Sequence, residues 1–291
     1  MISIVIPAHN EAAVIARCLE PMLQDARPGE LEILVMANGC KDDTVAIASR
    51  FGPPVRVIDL KQGSKPLAIN TGLAEASGDV IFVVDADVLV DVHSLRAAAE
   101  PLRSGRAMVS APCIQVDCSQ STSAVRRYYD VWTSLPYARQ SMVGSGVYGM
   151  TRQALAIVGE IPKIIGDDAY VRTKFPPEQR LTVSEYYGKP ACFTVFPPRR
   201  LADLVHIEVR RRAADEEMRQ LFGHTGTAPG RQMSTAIKMA ARRQLSWIAV
   251  LTYVYVKLAC RLKYKLSKLR GTNKVWRRDD SSRPSSQPAK S

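Results

Sequence analysis

The sequence predicts an α/β fold, a mostly parallel central sheet flanked by helices with a helical extension behind it, on three observations. From Met1 to about Val116, short apolar runs alternate with longer helical stretches, the signature of βαβ units. Four of the strands read this way end in polar or small residues, at the edge where open α/β sheets bind ligands. After "FPPRRL" the composition becomes basic and its pattern helical.

In chain order, "ISIVIPA" is the first strand, and Glu11 to Gln24 is a helix with apolar residues at Val14, Ile15, Cys18, Leu19 and Leu23. "LEILVMAN" is the second strand, and "DDTVAIASRF" is a helix with Asp42 or Asp43 as its N-cap. "VRVIDL" is the third strand, "KPLAINTGLAEAS" a helix closed by Gly78, and "DVIFVVDAD" the fourth strand. Ser94 caps a helix through Arg103, and "AMVSAP" is a fifth strand. Residues 119–198 hold a helix from Ser123 to Tyr137, the glycine-rich "GSGVYG", a helix in "TRQALAIVG" and another opened by "IGDDAYVRTKF". "LTVSEYYG" and "ACFTVF" are strands of a mixed edge. Arg210 to Leu221 and Gln232 to Leu269 are helical, and the Ser/Pro/Lys-rich Gly271 to Ser291 is expected to be disordered. No internal repeat is found.

The 291 residues, 46% of them hydrophobic, can bury a sizeable core as one large domain or two small ones. Cys18, Cys40, Cys113, Cys118, Cys192 and Cys260 form no CxxC pair, so neither a zinc module nor a disulfide framework is suggested, and a reducing cytoplasm fits. "MISIVIPAHNE" has no basic leader and its apolar run stops at Pro7, so it reads as a strand rather than a signal peptide, and the chain is expected not to be exported. The net charge of +12 is uneven. Residues 1–198 carry 19 Lys/Arg and 21 Asp/Glu, a net of −2, whereas residues 199–291 carry 21 and 7, a net of +14. Such asymmetry fits an anionic partner, nucleic acid or an acidic membrane, or a solvated surface with a disordered tail.

The strongest strand, "DVIFVVDAD", closes on Asp85 and Asp87. Residues i and i+2 of an extended strand face the same way, so the two carboxylates point together. Their repulsion is relieved by a divalent cation with hard oxygen ligands, and a metal held by so few protein groups keeps open positions for a diphosphate.

Five motifs in order, "VIPAHNE" (Val5–Glu11), "NGCKDDT" (Asn38–Thr44), "KPLAINTGL" (Lys65–Leu73), "DAD" (Asp85–Asp87) and "DD" (Asp167–Asp168), resemble an inverting family-two glycosyltransferase with the GT-A, Rossmann-like fold. The resemblance covers residues 1 to about 200. It implies a GT-A domain over 1–200, made of a nucleotide-sugar-binding half (1–118) and an acceptor half (119–200), then a basic helical extension (201–270) and the tail (271–291). It implies that Pro7, Ala8, Asn10 and Glu11 line the nucleotide pocket, with Glu11 near the ribose or base. Asn38 stands where the family usually has an acid contacting the base, and Asp42 matches the later acid of that motif. Asn both donates and accepts whereas an ionised Asp only accepts, so uracil is not the default base. Lys65 would offset diphosphate charge, and Asn70 and Ala86 complete the donor residues. Asp87 would bind Mn²⁺ or Mg²⁺, and Asp85 the ribose or a metal-bound water. Asp168 would be the base that takes the proton of the acceptor hydroxyl, with Asp167 in support, the two adjacent carboxylates raising one another's pKa. The implied donor is a nucleotide-diphosphate sugar, the acceptor a hydroxyl on a sugar or a lipid-linked molecule, and the product a polysaccharide, glycolipid or glycoconjugate. The alternative is a non-catalytic nucleotide-sugar-binding protein on the same fold. Nucleotidyl transfer would want a Gly- and Arg-rich loop after the first strand, where this chain has "AHNEAAV".

"GSGVYG" matches G-x-G-x-x-G, but lacks the preceding apolar strand of a dinucleotide fold, so it is read as flanking the acceptor or the diphosphate. His9, His93, His206 and His224 form no metal-ligand spacing; His206 is a surface or core residue or a late metal ligand. Arg210, Arg211 and Arg212 face the leaving diphosphate or solvent. Leu245 to Val256 carries no charge, but its length falls short of the roughly 20 residues a transmembrane helix needs. With Trp247, Tyr253, Tyr255, Tyr264 and a basic flank it reads as an interfacial helix on an anionic leaflet, at the inner face of the membrane, or as a dimerising or core-packing helix. Nucleic acid is not expected, since the N-terminal two thirds offers no basic face.

Overall fold

A computed structural model describes residues 1–139, 143–223 and 229–270. The expected disorder of residues 271–291 and the position of His224 lie outside these. The first half is a series of βα units: β1 (Ile2–Ala8), α1 (Ile15–Leu23), β2 (Leu31–Asn38), α2 (Thr44–Ser49), β3 (Val55–Leu60), α3 (Lys65–Glu75) and β4 (Val80–Val84). These four strands lie parallel in the order β3-β2-β1-β4. β1 and β4 are buried along their whole length because helices cover both faces, as a near-continuous apolar run predicts. Alternate residues feed two cores: Ile2, Ile4 and Ile6 meet Ile15, Leu19 and Leu95 on one face, while Val5, Leu34 and Ile81 meet Ile69 and Leu73 on the other.

The second half follows as β5 (Leu89–Val90), α4 (Val92–Arg103), β6 (Val109–Val116), α5 (Ser123–Ser134), α6 (Pro136–Arg139), β7 (Val147–Thr151), α7 (Arg152–Val158), α8 (Asp167–Thr173), β8 (Arg180–Val183), β9 (Glu185–Tyr186), β10 (Lys189–Pro190) and β11 (Cys192–Val195). β7 inserts antiparallel between β4 and β6, and β11 and β8 continue beside β6 in parallel. The extension is α9 (Leu201–Phe222), α10 (Pro229–Ala241) and α11 (Trp247–Leu269). It joins α5 in a third core, where Tyr128 and Trp132 meet Leu204, Ala249, Tyr253 and Val256.

Several local expectations are corrected. α1 starts at Ile15 rather than Glu11, because the amides of Glu11 and Ala12 are bound by Thr44 Oγ1 (2.7 Å) and Asp42 Oδ2 (3.0 Å) and the chain turns first. Asp91, not Ser94, caps α4, its carboxylate accepting from the Ser94 amide at 2.7 Å. The helix from Ser123 stops at Ser134 because Leu135, preceding Pro136, is forced into extended backbone. The helix expected over Gln232 to Leu269 is two, broken where Arg243 adopts a positive φ of 58°. α9 starts nine residues earlier than Arg210, at Leu201. Cys113 and Cys192 are joined by a disulfide, against the expectation of none: they face each other in the register of β6 and β11, but 79 residues of sequence separation hide the pairing.

Candidate active site

The C-terminal edge of the parallel strands gathers the charged motifs. Lys65 opens α3, whose first turn is fixed by Pro66 and by Ser64 Oγ accepting from the Leu67 amide. Its ammonium lies 2.8 Å from Asp85 Oδ1, one residue past β4, and 3.0 Å from Asp167 Oδ1 at the start of α8. Asp167 is buried, and its other oxygen accepts from Tyr148 Oη at 3.2 Å. Asp168, beside it, accepts from the Ser145 amide at 2.9 Å with Oδ2 and from the Ala169 amide at 2.7 Å with Oδ1. Lys65 thus ties the two carboxylate motifs, 82 positions apart, into one cluster.

The glycine-rich loop forms the wall of this cluster. Gly144 has a φ of +127°, and a Cβ there would stand 2.6 Å from Asp168 Oδ2, so only glycine lets the loop close over that carboxylate. Gly146, at φ +116°, accepts from the Asp85 amide at 2.8 Å through its carbonyl, and its own Cβ would collide with Val88.

Asp85 and Asp87 do not extend β4, as the strand reading supposed. The chain turns at Asp85, with the Val88 amide bonded back to the Asp85 carbonyl at 3.2 Å, and Ala86 between them is buried in the core. Both carboxylates still act on one neighbour: burial, and after it the charges of Asp87 and Asp85, push the Cys18 thiol far up. Burial would lower the pKa of Lys65, but Asp167 and Asp85 reverse this and hold it above the ordinary lysine value. Asp167 is raised, by burial first and then by Asp168 and Asp85, against the opposing pull of Lys65. Asp168 goes the other way. Burial acts to raise it, but Arg172, the Ser145 amide, Lys65 and the Ala169 amide together hold it below the usual carboxylate range. The expectation that the pair lifts the base is therefore corrected: Asp168, the assigned base, is lowered, and only its neighbour Asp167 is raised.

At the ends of β1 and β2 lies a second group. Asn10 has a φ of 55°, and its Oδ1 accepts from the Lys41 amide at 2.7 Å. Asp42 accepts from the Ala12 and Thr44 amides and from Thr44 Oγ1. Asn38 is buried, its Nδ2 donating to the Ala8 carbonyl (2.8 Å) and its Oδ1 accepting from the Ser64 amide (3.1 Å). Pro7 and Ala8 end β1 in register with Met36 and Ala37, and Glu11 is buried beneath the turn. Asn70 is held elsewhere: both ends of its amide bond the backbone of Ile161, at 2.8 and 2.9 Å. His206 meets Lys263 on the extension. Arg211 pairs with Glu208 at 2.8 Å, and Arg212 lies over the Tyr264 ring. Sequence reasoning placed the loop of Ser145 and Tyr148 beside the acceptor or the diphosphate without singling out either side chain, and assigned no role to Arg172. Tyr148 could have been found from the alternation of β7, since it shares a face with Met150 in the core behind Asp167.

Residues 3–155, more than half of the chain, match the family described as Glycosyl transferase family 2. The chain belongs to that family. Its α/β sheet is the GT-A fold. A segment of 92 residues is 35% identical to glycosyltransferase AglE of Haloferax volcanii, covering 30% of this chain and 30% of that relative. In structure this family 2 chain is similar to mannosyltransferase PcManGT from Pyrobaculum calidifontis, in complex with GDP-Man and Mn²⁺, with a TM-score of 0.62 at 18% identity over 93% of this chain and 79% of that one. It is also similar to glucosyl-3-phosphoglycerate synthase from Mycobacterium tuberculosis, in complex with Mn²⁺, UDP and glucosyl-3-phosphoglycerate, with a TM-score of 0.55 at 19% identity over 76% and 79%. The AglE relative is matched over less than a third of its length. Among its described residues no helix is long and apolar enough to cross a membrane.

Proposed function

We infer that this chain is a glycosyltransferase that transfers a sugar with inversion from a nucleotide-diphosphate sugar to an acceptor hydroxyl, with Asp168 as general base. The observation that carries the reading is the Lys65 bridge, which brings Asp85 of the donor half within one side chain of the Asp167–Asp168 pair. Asp168, held ionised, accepts the proton of the acceptor hydroxyl as its oxygen attacks the anomeric carbon. Asp167, its oxygens engaged by Lys65 and Tyr148, positions the start of α8 and with it the base. Ser145 and Gly144 hold the Asp168 carboxylate in place from the opposite side.

The donor set also fits a divalent metal. Asp85, Asp167 and Asp168 face the cations Lys65 and Arg172, and Asp87 acts with Asp85 on Cys18, a surplus of negative charge made of hard oxygens, while no cluster of three His, Cys, Asp or Glu closes around a point among the described residues. Asp87, with Asp85, would hold Mn²⁺ or Mg²⁺, which when bound stabilises the charge of the departing diphosphate. Lys65 adds a second positive charge beside it. Pro7 to Glu11 and Asp42 form the nucleotide side of the pocket. Asn38 serves it by fixing the ends of β1 and α3 rather than by touching the base. The acceptor is a sugar or lipid-linked hydroxyl, and a lipid-linked one would place the reaction at the inner face of a membrane.

A thermal-shift panel of nucleoside diphosphates tests the donor reading. One of GDP or UDP with Mn²⁺ raises the melting temperature of the wild-type chain, and Asp87→Ala removes that rise. Equal stabilisation of wild type and variant would refute the assignment of Asp87.

A further inference from the structure

Helix α11 has two apolar faces. One, with Val250, Tyr253, Val256, Cys260 and Tyr264, is buried in the protein, much of it against α5 and α9. This corrects part of the sequence reading, since Tyr253 and Tyr264 belong to that buried face. The other consists of Leu251, Tyr255, Leu258, Leu262, Leu266 and Leu269, 43–79% exposed. Steps of three and four residues keep these six on one stripe. At about 1.5 Å per residue the stripe runs about 27 Å from Leu251 to Leu269.

The charges are arranged around that stripe. On the helical wheel Arg261 and Lys268 fall along one border, Arg270 and Lys263, which also meets His206, along the other, and Lys265 at its edge. No Asp or Glu occurs from Trp247 to Arg270. Lys257, the remaining cation, lies on the inner side and pairs with Glu208 at 2.5 Å. Exposed Trp247 begins the helix, and Tyr255 sits within the stripe, two residues that favour a membrane–water boundary.

We propose that this outer face of α11 docks the enzyme on an anionic phospholipid surface, its leucines entering the acyl boundary and its flanking cations reaching the headgroups. Long Lys and Arg stems can lie along the apolar stripe while their charges stay in the headgroup layer. A second copy of the chain fits the face poorly. A two-fold pairing would set rows of Lys and Arg against one another, with no acid on the helix to answer them. The stripe is the convex surface of a single helix and offers no groove to a peptide.

The test is sedimentation of the full-length chain with vesicles of phosphatidylcholine, alone or mixed with phosphatidylglycerol. The chain is expected to sediment with the mixed vesicles about tenfold more than with phosphatidylcholine alone, and less in high salt. Leu258→Glu with Leu262→Glu, and separately Lys265→Glu with Lys268→Glu, each lower that binding about tenfold. All four side chains are exposed, so both variants should keep the wild-type melting temperature and its shift by nucleoside diphosphate, a readout independent of membranes. The proposal is overturned if wild type stays in the supernatant, partitions equally to both vesicles, or loses nothing in the leucine variant. It is equally overturned if wild type is a dimer in vesicle-free buffer that the leucine variant makes monomeric, which assigns the face to a second copy.

Discussion

Two lysine–carboxylate clusters in this protein use the same kinds of side chain to opposite ends. At the sheet edge one lysine, Lys65, is shared between Asp85 and Asp167, with Asp168 adjacent. In the extension one carboxylate, Glu208, is shared between Lys257 at 2.5 Å and Arg211 at 2.8 Å. Both clusters hold a buried carboxylate, so burial does not distinguish them. The ratio of cations to carboxylates does: Lys65 and Arg172 face several carboxylates, Lys257 and Arg211 only one. Asp167 is pushed up, whereas Lys257 and Arg211 overcome the burial of Glu208 and hold it down at about 2. The aromatic rings of Tyr128, Tyr253 and Trp132 pack against the cations of the second cluster and complete it. The first cluster keeps excess negative charge at an open edge, which is what a cationic or metal-bound substrate needs. The second is finished within the protein and serves to fasten α11 to α9.

Breaking the open cluster should show in activity. Asp168→Asn is expected to lower kcat about a thousandfold, roughly 4 kcal/mol of barrier, while the thermal shift by nucleoside diphosphate persists. Retained turnover in a chain that binds nucleotide normally would remove Asp168 from the base role. Lys65→Met should lower kcat about a hundredfold, near 3 kcal/mol, because Asp85 and Asp167 are left to repel each other and the diphosphate loses a positive neighbour. Lys65→Arg should recover part of the loss. A Lys65→Met enzyme with wild-type kcat would mean that the bridge is structural only.

How far each cluster was legible in the sequence follows from how it is built. Asp85 lies where an apolar run stops on charge, which is visible without the fold, and Lys65, Asp167 and Asp168 lie in short motifs that the resemblance to the family singles out. The parallel sheet was legible for the same reason, since β1, β2 and β4 are buried on both faces and read as unbroken apolar runs. Glu208, by contrast, sits in "HIEVRRRAADEEMRQL", which resembles any solvated helix. Only the packing of α11 on α5 and α9 makes it a buried acid. The Cys113–Cys192 bond and the role of Ser145 depend on strand register and loop closure, long-range facts that no local pattern encodes. The α1 start was misplaced because Asp42 and Thr44, thirty-odd residues away, take the amides of Ala12 and Glu11.

Breaking the closed cluster should show in stability instead. Glu208→Gln leaves Lys257 and Arg211 without their counter-charge. Loss of a fully buried pair costs about 3–5 kcal/mol, and Lys257 keeps 23% of its side chain in water, so about 2–3 kcal/mol is expected from thermal or urea melting. The sign with pH follows from the lowered pKa. Glu208 falls from an ordinary 4.5 to about 2 on folding, so its contribution is complete above about pH 4.5 and is lost as the pH drops towards 2. Wild type should therefore lose stability over that window, and Glu208→Gln should lose less. The double variant Glu208→Leu with Lys257→Met removes the pair and refills the site with apolar side chains. It should return to within about 1 kcal/mol of wild type, since a buried ion pair gains little over well-packed hydrophobic residues. If the double variant is instead less stable than Glu208→Gln, the pair does more than neutralise itself, and the contrast between an open and a finished cluster fails at its closed end.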